Sequence, residues 1–415
     1  MYKNVSSFNF IIAFAISLFF FPSITFGLLQ AEVFPWGIIL STIIIAYHRK
    51  INNFFVVVLA MFALNIIVFN IINITDLRLP EVVRSLLAYV NSIISLIAFY
   101  QFSEDNILKS AKLVKGIFIF LIVLGLLQIM GALSAIDFFF KFLIPRSSST
   151  SLGFMNRGVT LLSTEPARAG ISLVFIYILV RTVFIKEKKR PLYDFGIFLF
   201  LVLIIQSFMS LSLFLVYLIV VYRLKLLKLL IAVILLAFLG DYFAFGGRSL
   251  DLLDAIGNQN SFEDIVFLLV DNSGHRLISI YTSWLYAITH PFGGGIGYWE
   301  SSSVSALEFS GIDVSQYRYF IKHGDSNIIP IRSSGYMSNL VLDIGIFGII
   351  IFGGFLYSIL KKFWSISKES RNIILIFLFK IMFIGSVGTP VAWIASIIAL
   401  KYLYNKQQFQ DIKHA

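Results

Sequence analysis

Arginine is more frequent than lysine in one set of segments of this chain, and lysine is more frequent than arginine in the other. The segments that we predict to face the outside contain nine arginines and two lysines, whereas those predicted to face the cytoplasm contain five arginines and 16 lysines. A guanidinium carries a fixed fork of donors that grips phosphate or carboxylate through two hydrogen bonds, and an ammonium does not. The asymmetry therefore predicts that an anionic ligand is handled at the outer face. The alternative is that these arginines pair with lipid headgroups or structural carboxylates.

The string STEPARAG, at 163–170, predicts the start of a helix. Ser163 or Thr164 can cap it, Glu165 falls in the first turn, and the following proline suits an early helical position. Arg168 does not fit this pattern, because the macrodipole disfavours a cation near a helix N-terminus. Arg168 therefore needs an anionic partner, which is either Glu165 or a ligand.

The string HRLISIYTSWLYAITH, at 275–290, predicts an amphipathic helix. Its polar face carries Arg276, Ser279, Ser283 and His290, and its apolar face carries Leu277, Ile280, Tyr281, Trp284 and Ile288. Because tryptophan and tyrosine favour membrane interfaces, we expect this helix to lie flat on the outer surface with its polar face toward a site. Packing of the helix on its own loop is the alternative.

Four glycines follow in the string PFGGGIG, at 291–297. The string lacks the Lys-Ser/Thr of a phosphate-binding P-loop, and it lacks the preceding strand and following acidic residue of a dinucleotide-binding fold. Proline ends the helix, and glycines permit a positive φ and close backbone approach. The pattern predicts a tight loop rather than a nucleotide site.

The composition places these segments in a membrane protein. Of the 415 residues, 58% are hydrophobic and 13% are charged, and there is no cysteine. Several runs reach the roughly 18 apolar residues of a membrane span, and they do not alternate as β-barrel strands do. We predict an all-α, polytopic integral membrane protein whose first span is retained rather than cleaved as a signal peptide. Its twelve spans lie near 8–28, 31–47, 53–73, 82–100, 116–135, 168–185, 193–208, 211–222, 227–245, 338–360, 372–388 and 390–404.

The basic residues orient these spans. With both termini in the cytoplasm, every cytoplasmic loop is basic, so the net charge of +11 reflects topology rather than nucleic-acid binding. The outside then holds one large loop, 246–337, with short helical patterns. We predict a single membrane domain over 1–415 that contains this loop. An anion at the outer rim of such a protein is better explained by a lipid-linked phosphate or pyrophosphate than by a soluble nucleotide.

One lysine lies within a predicted span. Lys380 is near the middle of 372–388, where a charge is expensive unless it faces a cavity or a carboxylate. Asp343, in the span before it, is the predicted partner in a structural intramembrane pair.

Three strings together resemble a known family. Arg276, Trp284 and the string HPFGGGIG at 290–297 resemble a pattern in the large outer loop of bacterial O-antigen polymerases and O-antigen ligases. The string TEPAR at 164–168 resembles a string in an earlier outer loop of these families. The string SGYMSNLVLDIGIFG at 334–348, with its closing Gly-x-x-Gly, resembles the block that enters their next span.

The resemblance implies a glycosyltransferase of O-antigen or capsule assembly in the bacterial inner membrane. It would transfer a glycan from undecaprenyl pyrophosphate at the periplasmic face, without a metal or cofactor. The ligase pattern has a histidine where this chain has Ser334, so the resemblance favours a polymerase, with a ligase as the alternative. A flippase for lipid-linked oligosaccharides is a further alternative, although it would carry short loops and charges in a central cavity.

The same resemblance implies roles for particular residues. Arg157, Arg168, Arg276 and Arg332 would bind the pyrophosphate, and His290 would either be structural or orient the substrate. The general base would be Glu165, or His323 or Asp325 in the string KHGDSN. The expected partners are the undecaprenyl-pyrophosphate-linked oligosaccharide and membrane lipid, with a chain-length regulator and a flippase as candidate protein partners.

Overall fold

The computed structural model describes most of the chain. It covers residues 35–48, 53–73, 78–134, 158–223, 276–313 and 328–414, together with residues 138 and 320. Within those ranges the chain is 81% helix and contains no strand, which confirms the predicted all-α class there. The predicted spans 8–28 and 227–245 lie outside the described residues.

The described helices are numbered here in chain order. They are α1 (Pro35–His48), α2 (Asn53–Ile72), α3 (Leu79–Tyr100), α4 (Glu104–Ile129), α5 (Pro166–Phe184), α6 (Arg190–Phe200), α7 (Phe208–Tyr222), α8 (Arg276–Thr289), α9 (Trp299–Ser310), α10 (Tyr336–Trp364), α11 (Lys368–Phe383) and α12 (Val391–His414). Helix α5 is almost entirely buried, and it packs against α4, α7 and α12.

Five of these helices are long and apolar enough to cross a membrane, namely α2, α3, α4, α5 and α10. Shorter apolar helices occur in α1 and α7. By length and composition, the described part of the chain therefore belongs to a helical membrane protein. The count of twelve spans stays a prediction.

Helix ends differ most from the predicted spans where charged residues flank an apolar run. Helix α4 begins at Glu104 rather than near 116, and α12 continues to His414 rather than ending near 404. Lysine, glutamate and glutamine are good helix formers, so these helices extend beyond their apolar parts. The predicted break between 193–208 and 211–222 is present, because Gln206 adopts a left-handed conformation with φ of 49°.

Helix α11 ends earlier than predicted. It stops at Phe383, Ile384 is extended, and Gly385 has φ of +87°. The apolar character of the sequence continues through this turn, which is why 372–388 looked like one span. Lys380 consequently lies in the last turn of α11, so its predicted place in the middle of a span is wrong.

Helix α10 contains a kink that is joined to the glycine loop 291–297. Gly345 has φ of 72° inside the helix, which interrupts the helical hydrogen bonds around it. The loop replaces them by pairing its own backbone with that of α10. The bonds run from Gly294 N to Leu342 O at 2.8 Å, from Gly295 N to Asp343 O at 2.9 Å and from Phe347 N to Pro291 O at 3.4 Å.

The same contact explains why this loop is rich in glycine. A Cβ on Gly345 would lie 2.1 Å from the carbonyl oxygen of Pro291, and a Cβ on Gly293 would lie 2.5 Å from the backbone of Asp343. Two amide groups of the loop already bind carbonyls of α10, so they do not cradle a phosphate. The glycine loop is a close-packing device, in agreement with its predicted role.

Helix α8 exposes part of its predicted apolar face, whereas Ile280 is buried and Trp284 packs against the core. Leu277, Tyr281 and Ile288 are exposed, the last to 76%, whereas Ser279 and Ser283 are buried where α8 packs on α9 and α10. Both serine hydroxyls donate to carbonyls of their own helix. The outward apolar face fits the predicted surface helix. The polar face packs on the protein instead of facing an open site, so that part of the prediction is wrong for the two serines.

Candidate functional site

An open cavity of about 340 Å³ lies at the N-terminal end of α5. Its wall includes Glu165, Arg168, Arg276 and Arg332, four of the predicted site residues. These residues come from three distant parts of the chain: the start of α5, the first residue of α8 and the segment before α10. The fold therefore gathers three arginines that the sequence separates.

Gln128 on α4 holds the segment that precedes α5. The side-chain amide of Gln128 binds both the N–H and the carbonyl of Leu161, at 3.0 and 3.2 Å. The helix begins at Pro166, so Glu165 takes the N-cap position and the predicted caps at Ser163 or Thr164 are wrong.

Glu165 is the anionic partner of Arg168. Its Oε1 accepts a hydrogen bond from Arg168 Nε at 2.9 Å, and both side chains are partly exposed in the cavity wall. Of the two partners considered for Arg168, the carboxylate is therefore present. The pair answers the electrostatic problem of a cation near a helix N-terminus, and it leaves both groups within reach of a ligand.

Arg332 is held more rigidly. Its Nε donates to Asn339 Oδ1 at 3.1 Å, and a terminal nitrogen lies 3.9 Å from Asp343 Oδ2. The guanidinium carbon also lies 5.8 Å from the ring centroid of Trp299 and 6.0 Å from that of Tyr89. A planar cation between two aromatic rings and a carboxylate is pre-organised for binding.

Asp343 does not pair with Lys380, so that prediction is wrong. The buried Asp343 carboxylate accepts a hydrogen bond from Tyr89 OH at 2.7 Å and faces Arg332 instead. Lys380 is 1% exposed, and its Nζ has no hydrogen-bond partner among the residues that the structure describes. The early end of α11 brings Lys380 beside Gly385, which is one of the residues that line the cavity.

Trp299 lines the cavity because the start of α9 is anchored on both sides. Tyr298 OH donates to Asn70 Oδ1 at 2.9 Å, and Arg78 forms an ion pair of 2.9 Å with Glu300. Arg78 is one of the nine arginines assigned to the outside, and its role here is structural. A structural carboxylate thus accounts for part of the arginine excess.

The charges of the cavity wall favour an anion. Three guanidinium groups and one carboxylate line it, so the wall carries an excess of positive charge. Such a wall can bind phosphate oxygens and stabilise negative charge that develops on a leaving group. Glu165 is the group in the wall that can accept a proton. Within the described ranges, no cluster of three or more histidine, aspartate or glutamate side chains could hold a metal ion.

No known family model, curated protein or solved structure matches this chain. The geometry and charge of the cavity, together with the resemblance in the sequence, therefore carry the functional proposal.

His290 does not join this cavity. It is 14 positions beyond Arg276, about 21 Å along a helix, and its ring stacks on Tyr286 with centroids 3.9 Å apart. Burial raises the pKa of Tyr286, so the phenol stays neutral beside the imidazole. The other predicted site residues, Arg157, His323 and Asp325, lie outside the described residues.

Several cavity residues were missed by reasoning from the sequence. Trp299, Asn339 and the turn 385–388 line the wall, yet none was singled out. The string GSVGTP at 385–390 carried a usable signal, because two glycines and a proline rarely fall within a continuous span. Trp299 and Asn339 gave no comparable signal, since only the fold places them beside Arg332.

Proposed function

We propose that this protein is a polysaccharide polymerase of the bacterial inner membrane, with both termini in the cytoplasm. It transfers a growing glycan from undecaprenyl pyrophosphate onto the next lipid-linked repeat unit at the periplasmic face, in O-antigen or capsule biosynthesis. The observation that carries the proposal is the gathering of Arg168, Arg276 and Arg332 with Glu165 around one cavity. The resemblance of the surrounding strings to O-antigen polymerases supplies the reaction class.

In the proposed reaction, a hydroxyl oxygen of the acceptor sugar attacks the anomeric carbon of the donor glycan. The bond between that carbon and the pyrophosphate oxygen breaks, and undecaprenyl pyrophosphate leaves with the bonding electron pair. The three arginines stabilise the charge of the leaving group. The hydroxyl proton passes to Glu165 as general base.

The ion pair between Glu165 and Arg168 makes proton transfer to Glu165 depend on prior binding of the donor. A pyrophosphate that binds Arg168 competes with the carboxylate for the guanidinium. Glu165 is then released to accept a proton only when the donor is in place. This coupling favours transfer to a bound acceptor over reaction with water in an empty site.

Two features support a polymerase over the alternatives. The position of the ligase histidine is Ser334, which lines the same cavity but cannot act as that base. A flippase would place its charges at mid-membrane, whereas these arginines lie at the starts of α5 and α8 and just before α10. Glycosyl transfer at the end of the helix bundle fits that position better.

The deciding experiment compares a strain that lacks the gene with the complemented strain. Surface polysaccharide is separated on a gel, and lipid-linked glycans are extracted alongside. We expect the polymer ladder to disappear and single repeat units to remain. Long polymer retained on undecaprenyl pyrophosphate would indicate a ligase, and lipid-linked monomer trapped on the cytoplasmic side would indicate a flippase. Complementation with Arg276→Ala should fail, and normal polymer length and yield from that variant would refute the arginine assignment.

A further inference from the structure

Lys380 is a buried cation that the proposed reaction does not use. It lies in the last turn of α11, and its Nζ has no hydrogen-bond partner among the described residues. The helix dipole favours a cation at this end of a helix, but only weakly. A fully buried ammonium without a carboxylate or hydrogen bonds is costly in a membrane protein, and such residues commonly face a polar cavity.

Within the described ranges, no carboxylate forms an ion pair with Lys380. The nearest buried carboxylate considered for it, Asp343, is bound by Tyr89 and faces Arg332. The carbonyl of Lys380 accepts the amide of Ile384, which closes the helix. The compensating charge for the ammonium is therefore not provided by these groups of α10 and α11.

The ammonium lies close to a residue of the cavity wall that has no side chain. Gly385 lines the cavity, and the Cβ position on Gly385 lies 3.5 Å from Lys380 Cε and 3.9 Å from Lys380 Nζ. Ile171, which also lines the cavity, lies 3.8 Å from the same position. Any larger residue at 385 would shield the charge from the cavity, and the positive φ of Gly385 favours glycine there.

We propose that Lys380 is the inner cation of this cavity and selects a ligand with two linked phosphates over one with a single phosphate. The arginines at the rim bind one phosphate, and Lys380 stabilises the charge of the second across the backbone of Gly385. Lys380 is thus a positioning residue that acts through the floor of the site. This inference rests on the proposed function, because it assumes that the ligand carries a pyrophosphate group.

The test measures binding of inorganic pyrophosphate and of inorganic phosphate to the full-length protein in lipid nanodiscs. The variant is Lys380→Met, which keeps the length of the side chain and removes its charge. We expect pyrophosphate affinity to fall by about tenfold or more, as for the loss of a buried charge contact, while phosphate affinity changes little. Without ligand, Lys380→Met should unfold at a higher temperature than the wild type, because it removes an uncompensated charge.

Lys401→Met is the matched control. Lys401 is a largely buried lysine of α12, but its ammonium donates to the carbonyls of Tyr100 and Phe102. Its replacement should lower the unfolding temperature and leave pyrophosphate affinity unchanged. The two substitutions should therefore shift the unfolding temperature in opposite directions if Lys380 binds the ligand and Lys401 stabilises the fold.

A second pair of variants covers the case in which Lys380→Met does not fold. Lys380→Gln removes the charge and keeps a donor, so it should also lose the preference for pyrophosphate, and Lys380→Arg should restore part of it. An unchanged ratio of pyrophosphate to phosphate affinity in every folded uncharged variant would overturn the inference. Loss of binding in Arg276→Ala alone would then leave the proposed function standing.

The opposite failure has a different signature. A pyrophosphate preference that depends on Lys380, together with an unchanged polymer ladder in the strain that lacks the gene, would uphold the inner cation and reject the polymerase. Failure of the wild-type protein to bind pyrophosphate at all would reject both.

Discussion

At the scale of single residues, the cavity arginines differ in how firmly they are held. Arg332 is fixed by Asn339, by Asp343 and by the rings of Trp299 and Tyr89. Arg168 has a partly exposed carboxylate as its partner. A group that is already ordered loses less conformational entropy when it binds a ligand. Arg332 should therefore contribute to ligand binding mainly through its fixed geometry. Arg168 should contribute by exchanging its partner Glu165 for the ligand.

This difference predicts that Arg332 cannot be replaced by lysine. Lysine keeps the charge but loses the fork and the planar stacking. We expect Arg332→Lys to lower the rate of glycan transfer by about 100-fold, close to the effect of Arg332→Ala and similar to the loss of one donor from an oxyanion site. The measurement is polymer formation by purified protein from lipid-linked repeat units.

Arg78→Lys provides the control for that substitution. Arg78 does not line the cavity, and its ion pair with Glu300 is partly exposed; exposed pairs of this kind contribute little. It should retain a rate within about threefold of the wild type. Equal activity of Arg332→Lys and Arg78→Lys would show that the geometry of Arg332 is not used.

The sequence allowed the cavity arginines to be chosen, and it named Glu165 as a candidate partner of Arg168, but it did not indicate the partners of Arg332. Arg168, Arg276 and Arg332 stood out because arginine was used where lysine would suffice for topology. The pairing of Lys380 with Asp343 was wrong, because it depended on where α11 ends. That end is set by the conformation of Gly385, which hydrophobicity does not reveal.

At the scale of elements, the kink of α10 and the glycine loop form a single backbone unit. Gly345→Ala would place a Cβ 2.1 Å from the carbonyl oxygen of Pro291 and at a positive φ. We expect the substitution to destabilise the protein by more than about 2 kcal/mol, through strain and the loss of the loop contacts. Thermal unfolding in nanodiscs measures the effect.

The same helix contains the matching control. A Cβ on Gly353 meets no other atom within 4 Å, and alanine is the better helix former by about 0.5–1 kcal/mol. Gly353→Ala should therefore raise the unfolding temperature slightly. Equal destabilisation by both substitutions would mean that α10 is straight in solution.

A further prediction concerns the outward face of α8. If Leu277, Tyr281 and Ile288 lie in the membrane interface, a fluorophore on Ile288→Cys should be quenched by brominated lipids. The chain has no cysteine, so a single label is unambiguous. A label on Ser305→Cys, an exposed position of α9, should be quenched by aqueous iodide instead. Iodide quenching of both labels would place α8 in water and leave its apolar face unexplained.

Helices were predictable from the sequence where one physical effect dominates. Long apolar runs gave α2, α3, α5 and α10 within a few residues. The ends of α4 and α12 were missed because good helix formers continue past the apolar part. The kink at Gly345 follows from a contact with a loop about 50 positions away, which local periodicity does not encode.

At the scale of the whole molecule, α5 carries polar clusters at both ends. The cavity lies at its N-terminal end, and its C-terminal half contains the buried Arg181, which pairs with Asp194 at 3.1 Å. Asp194 also accepts hydrogen bonds from Tyr177, Tyr217 and Tyr222. The first cluster has an excess of positive charge, whereas in the second the charges of Arg181 and Asp194 are paired, beside a further cavity of about 600 Å³. We therefore assign binding to one end of the bundle and stability to the other.

This division predicts opposite behaviour for substitutions at the two ends. Asp194→Asn leaves Arg181 buried without its main counter-charge, and breaking such a pair costs on the order of 3 kcal/mol. We expect a marked fall in unfolding temperature with unchanged pyrophosphate affinity in the folded fraction. Arg276→Ala should lower the pyrophosphate affinity and leave the unfolding temperature unchanged. Loss of ligand affinity in folded Asp194→Asn would show that the two ends are coupled.

Apart from Ala88 on α3, the residues of the cavity wall run from Glu165 to Gly388 along the chain, and this separation has a consequence for the nascent protein. At about 5–20 residues per second, a ribosome needs roughly 10–45 s to proceed from Glu165 to Gly388. For nearly all of that time Arg168 is already translated while the turn 385–388 is not. A partly synthesised chain therefore has no complete cavity wall, so the site forms only when the protein is nearly finished.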